Sequence, residues 1–235
     1  MRTITDEYIS ELIHYNLVDE LKDNIDDITE YINNNNSFYC HPLAEALEFN
    51  RDVIADMLFN ANPMWIYKSN HKIGDNFNCL YIAIIKHNIY MLNKMLNWAA
   101  INNPSIINKP MTNVYYTGVL GYDNVSLLGF AIINSNGNHR TAEYLVNYGV
   151  DLTTKIPFGN TYQDYIDLCL DFGEHNILVS IYSKLKESKQ ESILDFENKV
   201  FKNYELRRFL MKRIDSSPQS SQTCLPLFKL IEANR

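Results

Sequence analysis

One pattern is written into this chain three times and then more faintly a fourth, and that repetition limits what the chain can fold into more than any single motif. Residues 41–63 read HPLAEALEFNRDVIADMLFNANP, residues 78–100 read NCLYIAIIKHNIYMLNKMLNWAA, and residues 126–152 read SLLGFAIINSNGNHRTAEYLVNYGVDL. Each opens with a short helical stretch around a small residue (Ala46, Ala83, Ala131), passes a polar break, and continues into a second apolar helix, Val53 to Phe59, Met91 to Trp98 and Ala142 to Val146. The fainter copy is NTYQDYIDLCLDFGEHNILVSIYSKL at 160–185, with Ile166 in the small-residue slot. A helix pair of this size cannot bury its own apolar face, so such units must stack on their neighbours. The expected class is all-α: a solenoid of stacked antiparallel helix pairs with long inter-repeat loops and a C-terminal helical cap.

These residues resemble the ankyrin repeat, whose signature T-P-L-H-x-A opens the first helix of each unit. His41-Pro42-Leu43-Ala44-Glu45-Ala46 keeps the Pro, Leu and Ala; Asn78-Cys79-Leu80-Tyr81-Ile82-Ala83 keeps the Leu and Ala; Ser126-Leu127-Leu128-Gly129-Phe130-Ala131 keeps a hydroxyl, a Leu and the Ala. The match has physical content. A polar residue at the start can cap the helix, Pro suits its first turn, and Ala lets neighbouring helices approach closely. Asn147-Tyr148-Gly149-Val150-Asp151 is also similar to the family's helix-ending N-G-A-D, with Gly149 suited to a left-handed cap. The resemblance covers four divergent repeats over residues 40–185.

The anchors at 46, 83, 131 and 166 are separated by 37, 48 and 35 residues, against about 33 for a regular ankyrin unit. The excess falls between units, where this family carries projecting β-hairpin fingers, in the intervals Pro63–Phe77 and Ile101–Val125. Those intervals hold Trp65, Tyr67, Tyr115, Tyr116 and Tyr122. Long connections in a compact protein carry function or are unstructured, so these aromatics are candidate partner anchors; the competing reading folds them back over the repeats to cover apolar surface. The resemblance adds the residues that follow the signature Ala, which ankyrin arrays present on their concave face: Glu48 and Phe49, Ile85 and Lys86, Ile133 and Asn134.

Residues 4–35 contain two amphipathic segments, with Tyr8, Ile9, Leu12 and Ile13 on one stripe and Leu17, Val18, Leu21, Ile25, Ile28 and Ile32 on the next. They read as a degenerate first repeat whose acids form a solvent-facing cap, stopped by Asn33 to Asn36. Downstream, residues 188–214 place Ile193, Leu194, Phe196, Val200 and Phe201 at helical spacing, with Lys199, Lys202, Arg207, Arg208, Lys212 and Arg213 gathered near the end. The expected organisation is a capping repeat over 1–36, ankyrin repeats over 37–185, and a C-terminal capping helix and tail over 186–235.

Composition excludes several function classes. With 46% hydrophobic and 21% charged residues the chain is globular rather than disordered. A net charge of −7 argues against a general nucleic-acid binder, which needs a basic face. No stretch approaches the roughly 20 apolar residues that cross a bilayer, and MRTITDEYIS lacks the apolar run of a signal peptide. Cys40, Cys79, Cys169 and Cys224 form no CxxC pair, so neither a zinc site nor a disulfide framework is indicated, and reduced thiols in a cytoplasmic setting are expected. No GxSxG, HExxH, phosphate loop or dinucleotide fingerprint is present, and His41 takes the Thr slot of the signature, a structural position at a helix start.

The expectation is therefore a monomeric, non-enzymatic module, without cofactor or metal, that binds another protein through its concave face and fingers. The Asn-, Ile-, Tyr- and Lys-rich composition suggests an AT-rich genome. Intracellular bacteria and large DNA viruses with such genomes use ankyrin proteins against host cells, which implies an effector acting in host cytoplasm. The alternative makes the repeats the targeting half of a host-modifying enzyme or toxin with chemistry in the C-terminal segment.

Overall fold

A computed structural model describes residues 3–35, 41–68, 78–108, 114–116, 119–122, 125–158, 161–188 and 208. The C-terminal cap expected over 188–214 lies outside these apart from Ser188, which ends a helix, and Arg208, which is helical and exposed. The chain divides into two compact units, Met1–Phe130 and Ala131–Arg235.

The first unit is two layers of helices. One layer holds α1 (Asp6–His14), α4 (Pro42–Glu48) and α6 (Cys79–Ile85), with α4 packed between the other two. The second holds α2 (Val18–Asp23), α3 (Ile25–Asn34), α5 (Asp52–Ala61) and α7 (Ile89–Asn102), with α5 against α2, α3 and α7. The apolar segment from Leu17 to Ile32 is thus two helices and not one. The break falls at Asn24, whose backbone (φ −115°, ψ 12°) leaves the helical region and whose side-chain amide donates to the Glu20 carbonyl at 2.8 Å. That local bond offers the backbone an alternative to continuing the helix.

Small residues sit where the layers press together. Ala46 and Ala83 are fully buried and Ala131 nearly so, as are the outer-helix leucines Leu58 and Leu96. Each buried leucine contributes roughly 2 kcal/mol of apolar transfer free energy. All six residues from Pro42 to Leu47 are buried, because α4 has a neighbour on either side and α5 behind it. On α1, Glu7, Glu11 and His14 are exposed.

What makes the units repeats is the way each first helix begins and ends. α4, α6, α9 (Leu127–Ile133) and α11 (Tyr165–Asp171) are all seven residues long. Each is preceded by a side chain that accepts from its first turn. His41 Nδ1 takes Leu43 N at 3.4 Å, Asn78 Oδ1 takes Leu80 N at 3.0 Å, Ser126 Oγ takes Gly129 N at 3.1 Å, and Asp164 Oδ1 takes Ile166 N and Asp167 N at 3.0 Å. Pro42 occupies the first position of α4, where its missing N–H costs nothing.

The far end closes on one shared turn. Arg51 N donates to the Ala46 carbonyl, Asn88 N to Ala83 and Glu174 N to Cys169, each at 2.8 Å, and Leu17 N to Leu12 at 2.9 Å. The residue before each donor is left-handed: Asn16, Asn50, His87 and Gly173 have φ of 56°, 54°, 52° and 70°. This is the Schellman closure, in which the backbone reverses and hands the chain to the second helix. It also corrects the fourth repeat. Cys169, five residues beyond the Asp164 cap, stands where Ala46 and Ala83 stand, and Ile166 does not.

The second unit contains the end of α9, α10 (Arg140–Tyr148), α11 and α12 (His175–Ser188), with α12 packed against both α10 and α11. Gly149 ends α10 in the left-handed conformation (φ 98°) that its sequence context predicts. The described residues are mainly helical but include two antiparallel hairpins. β1 (Val114–Tyr116) pairs with β2 (Val119–Tyr122) in the first unit, and β3 (Ile156–Phe158) with β4 (Thr161–Gln163) in the second. β1–β2 lies in the long interval Ile101–Val125. α8 (Ser105–Asn108) precedes it, and a 3-10 turn over Pro63–Tyr67 occupies the start of the other long interval.

Candidate partner-binding surface

The residues expected to contact a partner fall at opposite ends of the first helices. Trp65, of the first long interval, meets the cap end of α4 and α6; those that follow the small residue lie at the closing turn. A seven-residue helix separates the two ends by about 10 Å.

At the cap end, Trp65 is a correction. It is 2% exposed, and its indole Nε1–H donates to Asn33 Oδ1 at 3.3 Å. Its ring centroid lies 5.2 Å from that of His41, and its carbonyl accepts from the Cys79 thiol at 3.5 Å. An indole with its one donor satisfied and its ring against a helix cap seals the junction of α3, α4 and α6; it is not available to a partner. Tyr67, half-buried, stands 6.2 Å from the ring of Trp98. Tyr115, Tyr116 and Tyr122 lie on the β1–β2 hairpin, with Val114 paired to Tyr122 and Tyr116 to Val119 around an irregularity in register.

His41 belongs wholly to the scaffold. Burial drives its pKa down to about 3 from 6.5, with the Lys68 charge acting in the same direction. The ring is thus neutral and its Nδ1 free to accept from Leu43 N. Cys40, its sequence neighbour, lies outside the described residues. Burial likewise pushes the Cys169 thiol up, assisted by the Glu174 and Asp164 carboxylates, so it stays a protonated packing group. Among the described residues no group of His, Cys, Asp and Glu is placed to hold a metal ion, and no helix is long and apolar enough to cross a membrane.

At the turn end, the repeat geometry sorts the remaining candidates. Phe49, Lys86 and Asn134 each stand three residues beyond the small residue, with Glu48, Ile85 and Ile133 just before them. Phe49 is 38% exposed, while Glu48, Ile85, Lys86 and Asn134 are half-buried. Tyr15 and Phe172 hold the same position in the first and last pairs, and they are the residues that sequence reasoning missed. Tyr15 is 68% exposed and Phe172 38%. The available signal was the phase: three residues beyond Leu12 and beyond Cys169. Counted from Ile166 the same phase falls on Cys169, not on Phe172.

Tyr15 and Phe49 are joined by His14. Its ring meets Tyr15 edge-on at 5.0 Å and Phe49 edge-on at 5.2 Å, forming one contiguous row of three exposed rings in the first unit. The row is pinned from below. Arg51 donates from Nε to the Ile13 carbonyl at 3.2 Å and from Nη2 to the His14 carbonyl at 2.7 Å, which occupies its charge on the C-terminus of α1.

No protein-family model, curated protein or solved structure matches this chain.

Proposed function

We propose that this protein is an ankyrin-type repeat array whose role is to hold a partner protein. One observation carries the reading. Four first helices of identical length begin on a side-chain cap, and three of them, with α1, end on the same left-handed closure, while one hairpin precedes α9 and another precedes α11. A chain that repeats a turn this closely while varying the residues around it conserves a scaffold and diversifies a surface. The variable positions are the turn row and the β1–β2 hairpin, both rich in the aromatic side chains that dominate interfaces.

The test is capture of a partner from lysate on the immobilised full chain, repeated with Tyr115→Ala/Tyr116→Ala and with Tyr15→Ala/Phe49→Ala. The expected outcome is a discrete partner that one or both pairs of substitutions release while melting stays at the parent value. A chain that captures nothing above background, or variants that release the partner only by unfolding, would overturn the reading.

A further inference from the structure

The turn between α9 and α10 carries a chemistry that the other turns lack. The chain reverses there on Ser135-Asn136-Gly137-Asn138, where Asn138 N donates to the Ser135 carbonyl at 2.7 Å. Both central residues have positive φ, 44° at Asn136 and 83° at Gly137. That is the type I′ arrangement, which Asn-Gly favours. Asn136 and Gly137 are both exposed, and a Cβ built on Gly137 would meet nothing within 4 Å.

Two other left-handed asparagines show what sets this one apart. Asn16 and Asn50 have φ of 56° and 54° and are exposed as well. The amide after each is committed to the closing turn: Leu17 N donates to the Leu12 carbonyl at 2.9 Å and Arg51 N to the Ala46 carbonyl at 2.8 Å. Leu17 and Arg51 also bear side chains that crowd any approach to that nitrogen, and glycine bears none. Among the described residues, neither Gly137 N nor the Asn136 side chain makes a hydrogen bond. Asn138, by contrast, engages its side-chain oxygen with Arg140 N at 3.4 Å.

We propose that Asn136–Gly137 is a site of spontaneous deamidation and backbone isomerisation, held in check by the Glu174 carboxylate. The Gly137 nitrogen forms a bond to Asn136 Cγ, the Cγ–Nδ2 bond breaks, and the amide nitrogen leaves as ammonia with the Gly137 proton. Solvent water then opens the five-membered imide. Attack at Cγ restores the main chain and leaves aspartate; attack at the Asn136 carbonyl carbon leaves isoaspartate, with one more carbon in the main chain. Water is the sole co-reactant, and nothing is oxidised or reduced.

Ring closure requires the backbone at Asn136 to rotate, which the bond from Asn138 N to the Ser135 carbonyl opposes. Ser135 is 1% exposed, and its hydroxyl donates to one oxygen of buried Glu174, whose other oxygen lies 3.0 Å from His139 Nδ1. One carboxylate thus holds the chain on both sides of Asn-Gly, so the reaction waits on local opening of the turn. The product then loosens what held it. Isoaspartate lengthens the segment that the 2.7 Å bond closes.

The experiment incubates the full-length chain at mildly alkaline pH, below its melting transition, and follows each asparagine by peptide mapping with mass spectrometry. Conversion is expected at Asn136 well ahead of Asn16 and Asn50. Asn136→Gln, whose longer side chain closes a six-membered ring poorly, should stop it. Glu174→Ala should speed conversion by about tenfold, the change in opening expected when a buried hydrogen bond is lost. Ser135→Ala breaks only one of the two bonds to Glu174 and gives the same readout where Glu174→Ala melts too low.

Conversion at Asn136 no faster than at Asn16 and Asn50 would overturn the site. An unchanged rate in both Glu174→Ala and Ser135→Ala, each shown by melting to be folded, would overturn the control by Glu174. The converted fraction, separated by its added charge, should melt below the parent, and equal melting would overturn the loosening of the turn.

Discussion

The turn after α9, in the second unit, is built differently from the turns of the first. In the first, the turns after α4 and α6 are tight: five residues take the chain from the small residue to the start of the next helix. The side chain at that start reaches back to the preceding pair, Arg51 to the α1 carbonyls and the Asn88 amide to Asp52 Oδ1 at 2.7 Å. In the second unit the turn between α9 and α10 is three residues longer, with Asn136 and Gly137 both at positive φ (44° and 83°). Here the strut is a buried carboxylate. Glu174 accepts a very short hydrogen bond from the Ser135 hydroxyl, and its other oxygen lies 3.0 Å from His139 Nδ1, while Asn176 Nδ2 lies 2.7 Å from His139 Nε2. A tight turn satisfies its own backbone, and its strut is an addition. A longer turn has more backbone to order than its own bonds can hold, so the next pair must supply a fixed acceptor.

That difference gives the largest expected effect. Glu174→Ala removes the acceptor from Ser135, which is 1% exposed, and from His139 at once. Leaving a buried donor unpaired costs about 1 to 3 kcal/mol, and a second bond is lost with it. The counterpart Asn88→Ala loses the Met91 N cap bond and the Asp52 contact, about 1 kcal/mol on the scale of cap substitutions. Denaturant unfolding of the two variants should rank them in that order. Equal losses would mean that the longer turn stands without its clamp.

A second comparison sets His41 against the other caps. Asn78 and Ser126 cap their helices with side chains that do not titrate, whereas His41 must stay neutral to accept. Its folded pKa of about 3 lies below the unfolded 6.5, so between those values the unfolded chain holds a proton that the native state refuses. Stability is therefore lost as pH falls through that window, by at most about 1.4 kcal/mol per pH unit from this one group. His41→Asn keeps a good cap and removes the titration. Its stability relative to the parent should rise steadily from pH 6.5 downward and be level above it. Parallel curves across that range would show that His41 is not held neutral.

Much of this architecture was legible in the sequence because the repeats are written in cap and packing residues. The Ala slots, the caps at 41, 78 and 126 and the left-handed Gly149 follow from which residues tolerate a close helix or a positive φ. The fourth repeat was misphased because Ile166 and Cys169 are both apolar residues on one helix. Only the backbone bond from Glu174 to Cys169 distinguishes the slot. The length of its interval leaves Trp65 either a partner anchor or a cover for the repeats, because length says nothing about direction. The Asn33 amide that accepts from its indole lies 32 positions earlier, on another element. Tyr15 went unnoticed because the first repeat carries Leu12 in place of Ala, which leaves no signature to count from.

The left-handed position of the turn gives the smallest and finest test. Gly173 fills it in the last pair and asparagine or histidine in the others, although the backbone angle is nearly the same. A Cβ built on Gly173 would meet nothing within 4 Å, so Gly173→Ala isolates the backbone penalty from any steric clash. That penalty for an L-residue in this region is about 1 kcal/mol. Asn50 already bears a side chain there, and asparagine tolerates the region better than alanine does, so Asn50→Ala should cost less than Gly173→Ala. Asn50→Gly should change stability by no more than a few tenths of a kcal/mol, because relief of the strained angle is offset by the greater freedom of glycine in the unfolded chain. Three melting curves decide the matter. If Gly173→Ala were neutral while Asn50→Ala was costly, side-chain bonding and not the left-handed backbone would be holding the turns, and the shared closure would cease to be the device that unites the pairs.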